Sequence, residues 1–193
     1  MKRIFFITFI TGAACLMQSC TGNKDSKASA DSANSAKADT AKKDSSVATV
    51  DKDDAKFAMA AANGGMAEVA LGTLAQQKAS SAKVKDFGAM MVSDHSKAND
   101  ELKALAKSKG ITLPDSIDSK EQQVKNDLSA KSGAGFDKAY VSNMIDDHKE
   151  DIKEFEDAAK NLKDADLKAF AVKTLPTLKM HLDAIQKIHD GMK

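Results

Sequence analysis

From Asp53 to the C-terminus, apolar residues return every three or four positions, with no alternating strand-like run and no hairpin dipeptide between two such runs. That pattern admits helices and leaves no material for a sheet, so an all-α domain is expected over residues 53–193. A first helix over 53–79 carries Phe57, Ala61, Gly65, Glu68, Gly72, Ala75 and Ala79 on one stripe, with Asn63-Gly64-Gly65 as a candidate break. Ser80-Ser81 is a link short enough to force the next helix, 82–109, antiparallel to it, and Gly110 closes that helix. Its stripe is Val84, Phe87, Met91, Ala98, Leu102 and Leu105. Between Ile111 and Gly135 lies a crossover, with a turn at Pro114-Asp115 and a capping box at Ser119-x-x-Gln122 before a short helix. Helices over 136–161 and 165–190 follow, the latter capped by Asp164 and carrying Pro176 in its interior. The expected architecture is an antiparallel four-helix bundle whose second and third helices are joined by a crossover containing a short extra helix.

Two words in this pattern nearly repeat. Met91-Val92-Ser93-Asp94-His95 returns fifty-three residues later as Met144-Ile145-Asp146-Asp147-His148, and Phe87, Leu102 and Ala106 then align with Tyr140, Phe155 and Ala159. At 100° per residue, certain polar side chains fall on or beside the apolar stripe of each long helix. These are Glu68 on the first, Asp94 and His95 on the second, His148 flanked by Asp147 and Asp151 on the third, and His181 on the fourth. Antiparallel packing brings such mid-helix positions to one level. An acid and several imidazoles buried together are costly unless they bind one another or a cation. Glu68, His95, His148 and His181 are therefore candidate metal ligands, for iron, manganese, zinc or copper rather than calcium or magnesium. Asp94, Asp147 and Asp151 are further ligands or supports that orient the imidazoles, and Tyr140 is a candidate hydrogen-bond donor to the site. The rival is a layer closed by internal Asp–His hydrogen bonds. The chain has no Glu-x-x-His pair, which separates it from the usual carboxylate-bridged two-metal pattern. The methionines Met59, Met66, Met90, Met91, Met144 and Met180 read as core filler.

The front of the chain differs in kind. Lys2-Arg3, the apolar run Ile4 to Met17 and the ending Ser19-Cys20 form a secretory leader over 1–19, too short for a membrane span. The ending Leu16-Met17-Gln18-Ser19-Cys20 resembles a bacterial lipoprotein signal, which implies lipidation of Cys20 and a membrane anchor. Plain export with cleavage nearby, or before Cys15, are the alternatives. Residues 20–52, rich in Ser, Ala, Lys, Asp, Thr and Asn, read as a disordered polar tether. Twenty-nine basic residues against 28 acidic give +1, and removal of Lys2 and Arg3 brings the formal charge to −1, so nothing points to a nucleic-acid partner.

From Phe57 to about His189 the chain resembles an uncharacterised bacterial family with a ferritin-like fold, domain of unknown function 4142, many of whose members are called outer membrane proteins. The resemblance is carried by Gly65-x-x-Glu68-Val69-x-Leu71-Gly72-x-Leu74-Ala75, by Phe87-Gly88-x-Met90-Met91-Val92-x-Asp94-His95, by Phe136-Asp137-x-x-Tyr140, by Met144-Ile145-x-Asp147-His148 and by Leu175-Pro176-x-Leu178-x-x-His181-Leu182. It implies a fold and an envelope location, at the outer membrane or in the periplasm, and supplies no activity. Three functions stay open: a lipid-anchored envelope protein whose Glu/His layer binds transition metal for metal handling or stress protection; a metal-free envelope module binding a protein partner or itself; and a di-metal oxidoreductase acting on peroxide or oxygen.

Overall fold

The computed structural model describes residues 25–41 and 50–192. Those residues form six α-helices and no strand: α1 Ser26–Ala41, α2 Lys52–Lys78, α3 Ala82–Ser108, α4 Ser119–Ser129, α5 Gly133–Asn161 and α6 Ala165–Asp190. None of them is long and apolar enough to cross a membrane. The expected leader and Cys20 lie outside the described residues.

Side-chain pairs fix how the four long helices run. Along α2 and α3, Gly72 faces Gly88 and Glu68 faces His95, so one index rises as the other falls. Phe155 against Phe170 and His148 against His181 show the same for α5 and α6. Phe57 against Phe155 and Glu68 against His148 do so for α2 and α5, and Asp94 against His181 with Glu101 against Lys173 for α3 and α6. Across the diagonal, Phe87 meets Tyr140 and His95 meets His148, both at the fifty-three-residue interval, so α3 and α5 run parallel and in step. Parallel helices of about 40 Å need a link that returns along their length. Residues 109–132 with α4 supply it.

The helix ends follow from the sequence. Asp51, Asp118 and Asp164 cap α2, α4 and α6 by accepting from backbone N–H groups of the first turn. For α4 the cap is thus Asp118, whose carboxylate takes the Glu121 N–H, and not the expected Ser119 box, because the chain turns into the helix one residue earlier. Gly133, at φ +56°, opens α5 three residues before the expected start. Asn63-Gly64-Gly65 does not break α2. Asn63 instead exchanges hydrogen bonds with Asp118, accepting from its N–H at 2.8 Å and donating to its carboxylate at 3.2 Å, which pins α4 onto α2. Met180 is half exposed on α6 and is not core.

The expected tether is corrected over Ser26–Ala41. Six of those sixteen residues are alanine, the best helix former; the helix packs on α2 and its Ala30 is buried. Polar bonds to the crossover hold it: Asn34 accepts from Thr112 N–H at 2.8 Å and donates to Thr112 O at 2.9 Å. Large apolar residues are not needed when the docking is made of hydrogen bonds.

The hairpins α2–α3 and α5–α6 are built alike. Asp137, near the start of α5, accepts from Ser80 N–H at 3.0 Å, Ser81 N–H at 2.9 Å and the Ser80 hydroxyl. Asp54, in the first turn of α2, accepts from Lys163 N–H and Asp164 N–H, each at 2.9 Å. Each hairpin's turn is held by an acid from the other. Positions 54, 80 and 81 map onto 137, 163 and 164 by one interval of 83 residues, a repeat of the whole hairpin. Between α2 and α3 the backbones nearly touch, since a Cβ placed on Gly72 would stand 2.6 Å from Gly88 O. The apolar core falls into two blocks. One holds Phe57, Leu102, Phe155, Phe170 and Leu178, the other Leu71, Phe87, Met91, Phe136, Tyr140, Met144 and Ile185.

Candidate metal centre

A polar layer separates those blocks. Glu68 from α2, His95 from α3, His148 from α5 and His181 from α6 are all buried, with 1%, 6%, 0% and 0% of their surface exposed. The structure brings together all four residues that the stripe positions single out. The three imidazole rings lie 5.3 to 5.9 Å apart between centroids, and ligand atoms of His95, His148 and His181 all fall within 4.8 Å of one another. Phe87 packs against both His148, tilted at 6.2 Å, and His181, edge-on at 6.4 Å.

Each imidazole is held by one nitrogen. His148 Nδ1 lies 3.0 Å from Met144 O, and a carbonyl only accepts, so Nδ1 carries the hydrogen and Nε2 the lone pair. His95 Nδ1 lies 2.6 Å from Glu68 Oε2, and His181 Nε2 lies 3.1 Å from Asp94 Oδ2. Both contacts place the N–H toward a carboxylate. The opposite nitrogens, His95 Nε2, His148 Nε2 and His181 Nδ1, are buried without any hydrogen-bond partner. Glu68 Oε1 is likewise unpartnered, and it stands 3.4 Å from His148 Nε2. A proton on that oxygen would serve His148 alone, leaving the other two lone pairs unmet.

Burial sets the charge of this layer. It pulls His95 down to about 4 against the attraction of Asp147 and Asp94, and pulls His148 down to about 3, with His95 and His181 adding to the effect. Burial also lowers His181, opposed by its bond to Asp94. All three imidazoles are therefore neutral at pH 7, the state that ligates metal. Burial, with the Asp147 charge adding to it, holds Glu68 well above the ordinary carboxylate range, and Asp151 offsets part of this. Burial pushes the Tyr140 phenol up as well, and its hydroxyl has no partner.

Asp94 supports an imidazole, but across helices. It holds His181 of α6 and not its neighbour His95, because adjacent residues point 100° apart and α6 lies on the Asp94 side of α3. Glu68 takes the corresponding place for His95. Asp147 is partly buried, with a carboxylate oxygen within 4.8 Å of ligand atoms of Glu68 and His148, and Asp151 adjoins Glu68. Beside Glu68 and His95, a cavity of about 20 Å³ lined by Gly65, Asn99, Asp151 and Thr174 has room for a single water. Asp54 and Asp137, which the stripe positions did not single out, do not belong to this site; they clamp turns.

A family described as "Domain of unknown function (DUF4142)" matches residues 39–188, most of the chain. The chain belongs to that family. No curated protein and no solved structure matches it. The match takes in every residue of the polar layer and begins near the end of α1, so most of the docked N-terminal helix lies outside the DUF4142 domain.

Proposed function

We propose that this DUF4142 chain is a metal-binding protein whose ion sits among His95 Nε2, His148 Nε2 and His181 Nδ1. One observation carries the reading: three buried imidazole lone pairs on three helices face inward with no donor, while the opposite nitrogen of each ring is anchored to Met144 O, Glu68 or Asp94. An imidazole whose far N–H is tied to a carbonyl or carboxylate is the usual posture of a ligating histidine. The acid–imidazole bonds of this layer use the N–H groups of His95 and His181 and leave the lone pairs over. Neutral nitrogen donors suit zinc, copper or iron, and three of them leave a position for water or a further oxygen ligand.

The antiparallel contacts among α2, α3, α5 and α6, with the returning link through α4, support reading the domain as a ferritin-like four-helix bundle. The leader and Cys20 support a lipid-anchored location in the bacterial envelope, with metal handling or protection against stress as the role. The ligand set is the test. Full-length protein without a histidine tag should take up one zinc, copper or iron ion per chain and melt at higher temperature when loaded. His148→Ala should lose both effects. Failure of the wild type to bind any of the three overturns the reading.

A further inference from the structure

The docked N-terminal helix builds something that the four long helices do not build alone. Between α1 and the C-terminal part of α5, over the first turns of α2, lies a groove of about 760 Å³, which the start of α4 lines as well. Small-molecule sites commonly measure about 300–1,000 Å³. The floor is apolar, made of Phe57, Met59 and Ala60 from α2 with Ala158 and Leu162 at the end of α5. None of Glu68, His95, His148 and His181 lines it, so what it binds is independent of the metal reading. Most of α1 lies outside the DUF4142 match, so the groove extends beyond the matched domain.

The walls are charged and out of balance. Six carboxylates line the groove against three lysines, and the lysines are already engaged. Lys27 pairs with Asp118 at 3.5 Å and Lys56 with Asp53 at 3.4 Å, while Lys120 turns to Glu121, outside the groove, at 3.6 Å. Asp25 accepts from the Ser119 and Lys27 N–H groups. Asp31 on α1 and Glu154 and Asp157 on α5 then have no ion pair among the described residues. Asp157 takes only the Asn161 amide at 2.7 Å, and Lys27 attracts Glu154 from its place on Asp118. The lining runs from Asp53 to Ala60 on α2 and from Glu154 to Leu162 on α5, about 10–12 Å of helix. So short a floor falls well below the roughly 20–30 residues a side of a stable protein interface, and suits one small molecule. We infer that the groove binds a small organic cation, an amine with an apolar body, which lies on Phe57, Met59 and Leu162 with its ammonium among Asp31, Glu154 and Asp157. The ammonium donates to carboxylates that have no cation of their own, and the same surplus repels an anion of equal shape.

The test titrates the full chain, free of metal and at low salt, with dansylcadaverine, an amine on an apolar fluorescent body. Its matched anion is N-dansyl-6-aminohexanoate, with the same body and an arm ending in a carboxylate. The wild type should bind the amine at one site per chain, about tenfold or more tightly than the anion, and added salt should narrow that gap. Asp31→Asn with Glu154→Gln and Asp157→Asn changes only exposed carboxylates, so it should melt as the wild type does and bind the amine about tenfold more weakly. Ala60→Phe fills the floor and should weaken both dyes. Equal affinity of the wild type for the two dyes, or no binding of the amine up to millimolar concentration, overturns the inference. Unchanged binding of the amine by the triple variant, or by Ala60→Phe, overturns it as well.

Discussion

Asp54 and Asp137 are as buried as Glu68, at 2%, 3% and 1% exposed, yet the two kinds of site have opposite accounts of their polar atoms. At the turns, each carboxylate oxygen accepts from a backbone N–H, and both turns are thereby fixed. In the mid-helix layer, one carboxylate oxygen and three ring nitrogens face inward with nothing to meet them. Burial of a polar group therefore does not mark a site in this protein. Unspent hydrogen-bonding capacity is what separates the proposed site from the clamps, since leaving it unmet costs about 1–3 kcal/mol per group unless a ligand takes it up.

The contrast can be broken at either end. Asp137→Ala should cost most, roughly 3–5 kcal/mol, because it strands the Ser80 and Ser81 N–H groups; urea unfolding should show the same loss with and without added metal. Glu68→Gln keeps an acceptor for His95 and removes a buried acid, so metal-free stability should change by less than about 1 kcal/mol; a loss as large as that of Asp137→Ala would erase the distinction. Next in size is the metal itself: at a free concentration 100 times Kd the wild type should gain about 2.7 kcal/mol, and His148→Ala should gain nothing by the same calorimetric scan. Gly72→Ala should cost about 1–3 kcal/mol by forcing α2 from the Gly88 carbonyl, and should weaken metal binding by parting Glu68 from His95.

The smallest effect depends on pH. Burial and the Glu121 charge push Asp147 up to about 6 from an ordinary 3.8, so its ionisation costs the fold nothing below 3.8 and its full amount above 6. Metal-free Asp147→Asn should thus be more stable than wild type by about 1 kcal/mol at pH 7, once the partial exposure of the side chain is discounted, and equal to it near pH 4. His95 runs the other way. With its folded value drawn down to about 4, it contributes stability above 6.5 that is lost as pH falls toward 4. In the variant one of the terms opposing that acid-side loss is gone, so denaturant midpoints should fall more steeply with acid than in wild type.

Much of this was legible in the chain, for identifiable reasons. Helical period fixes a residue's direction about its own axis, and that was enough to choose Glu68, His95, His148 and His181 from among the polar residues. It does not fix how neighbouring helices are rotated, so Asp94 could be paired with its neighbour His95 as readily as with His181, its actual partner. The buried clamps escaped because the partners of Asp54 and Asp137 are backbone N–H groups in the turn of the other hairpin, which helical period does not reveal. Their signal was present: Ala82-x-Val84-Lys85-x-Phe87 returns 83 residues later as Ala165-x-Leu167-Lys168-x-Phe170, but the louder Asp-His echo at fifty-three residues hid it. That echo joins two parallel helices in step, whereas the quieter interval joins the two halves of the fold. Ser26–Ala41 was misread because composition reports the lack of a core and says nothing of hydrogen bonds to a loop such as Thr112.

The 83-residue repeat divides the molecule into two pieces that meet at the polar layer. The first piece brings His95 and Glu68, the second His148 and His181. Neither owns a complete ligand set, so an ion held there joins the halves as a rivet joins two plates, and withdrawing it would loosen the seam between hairpins before it loosened either hairpin.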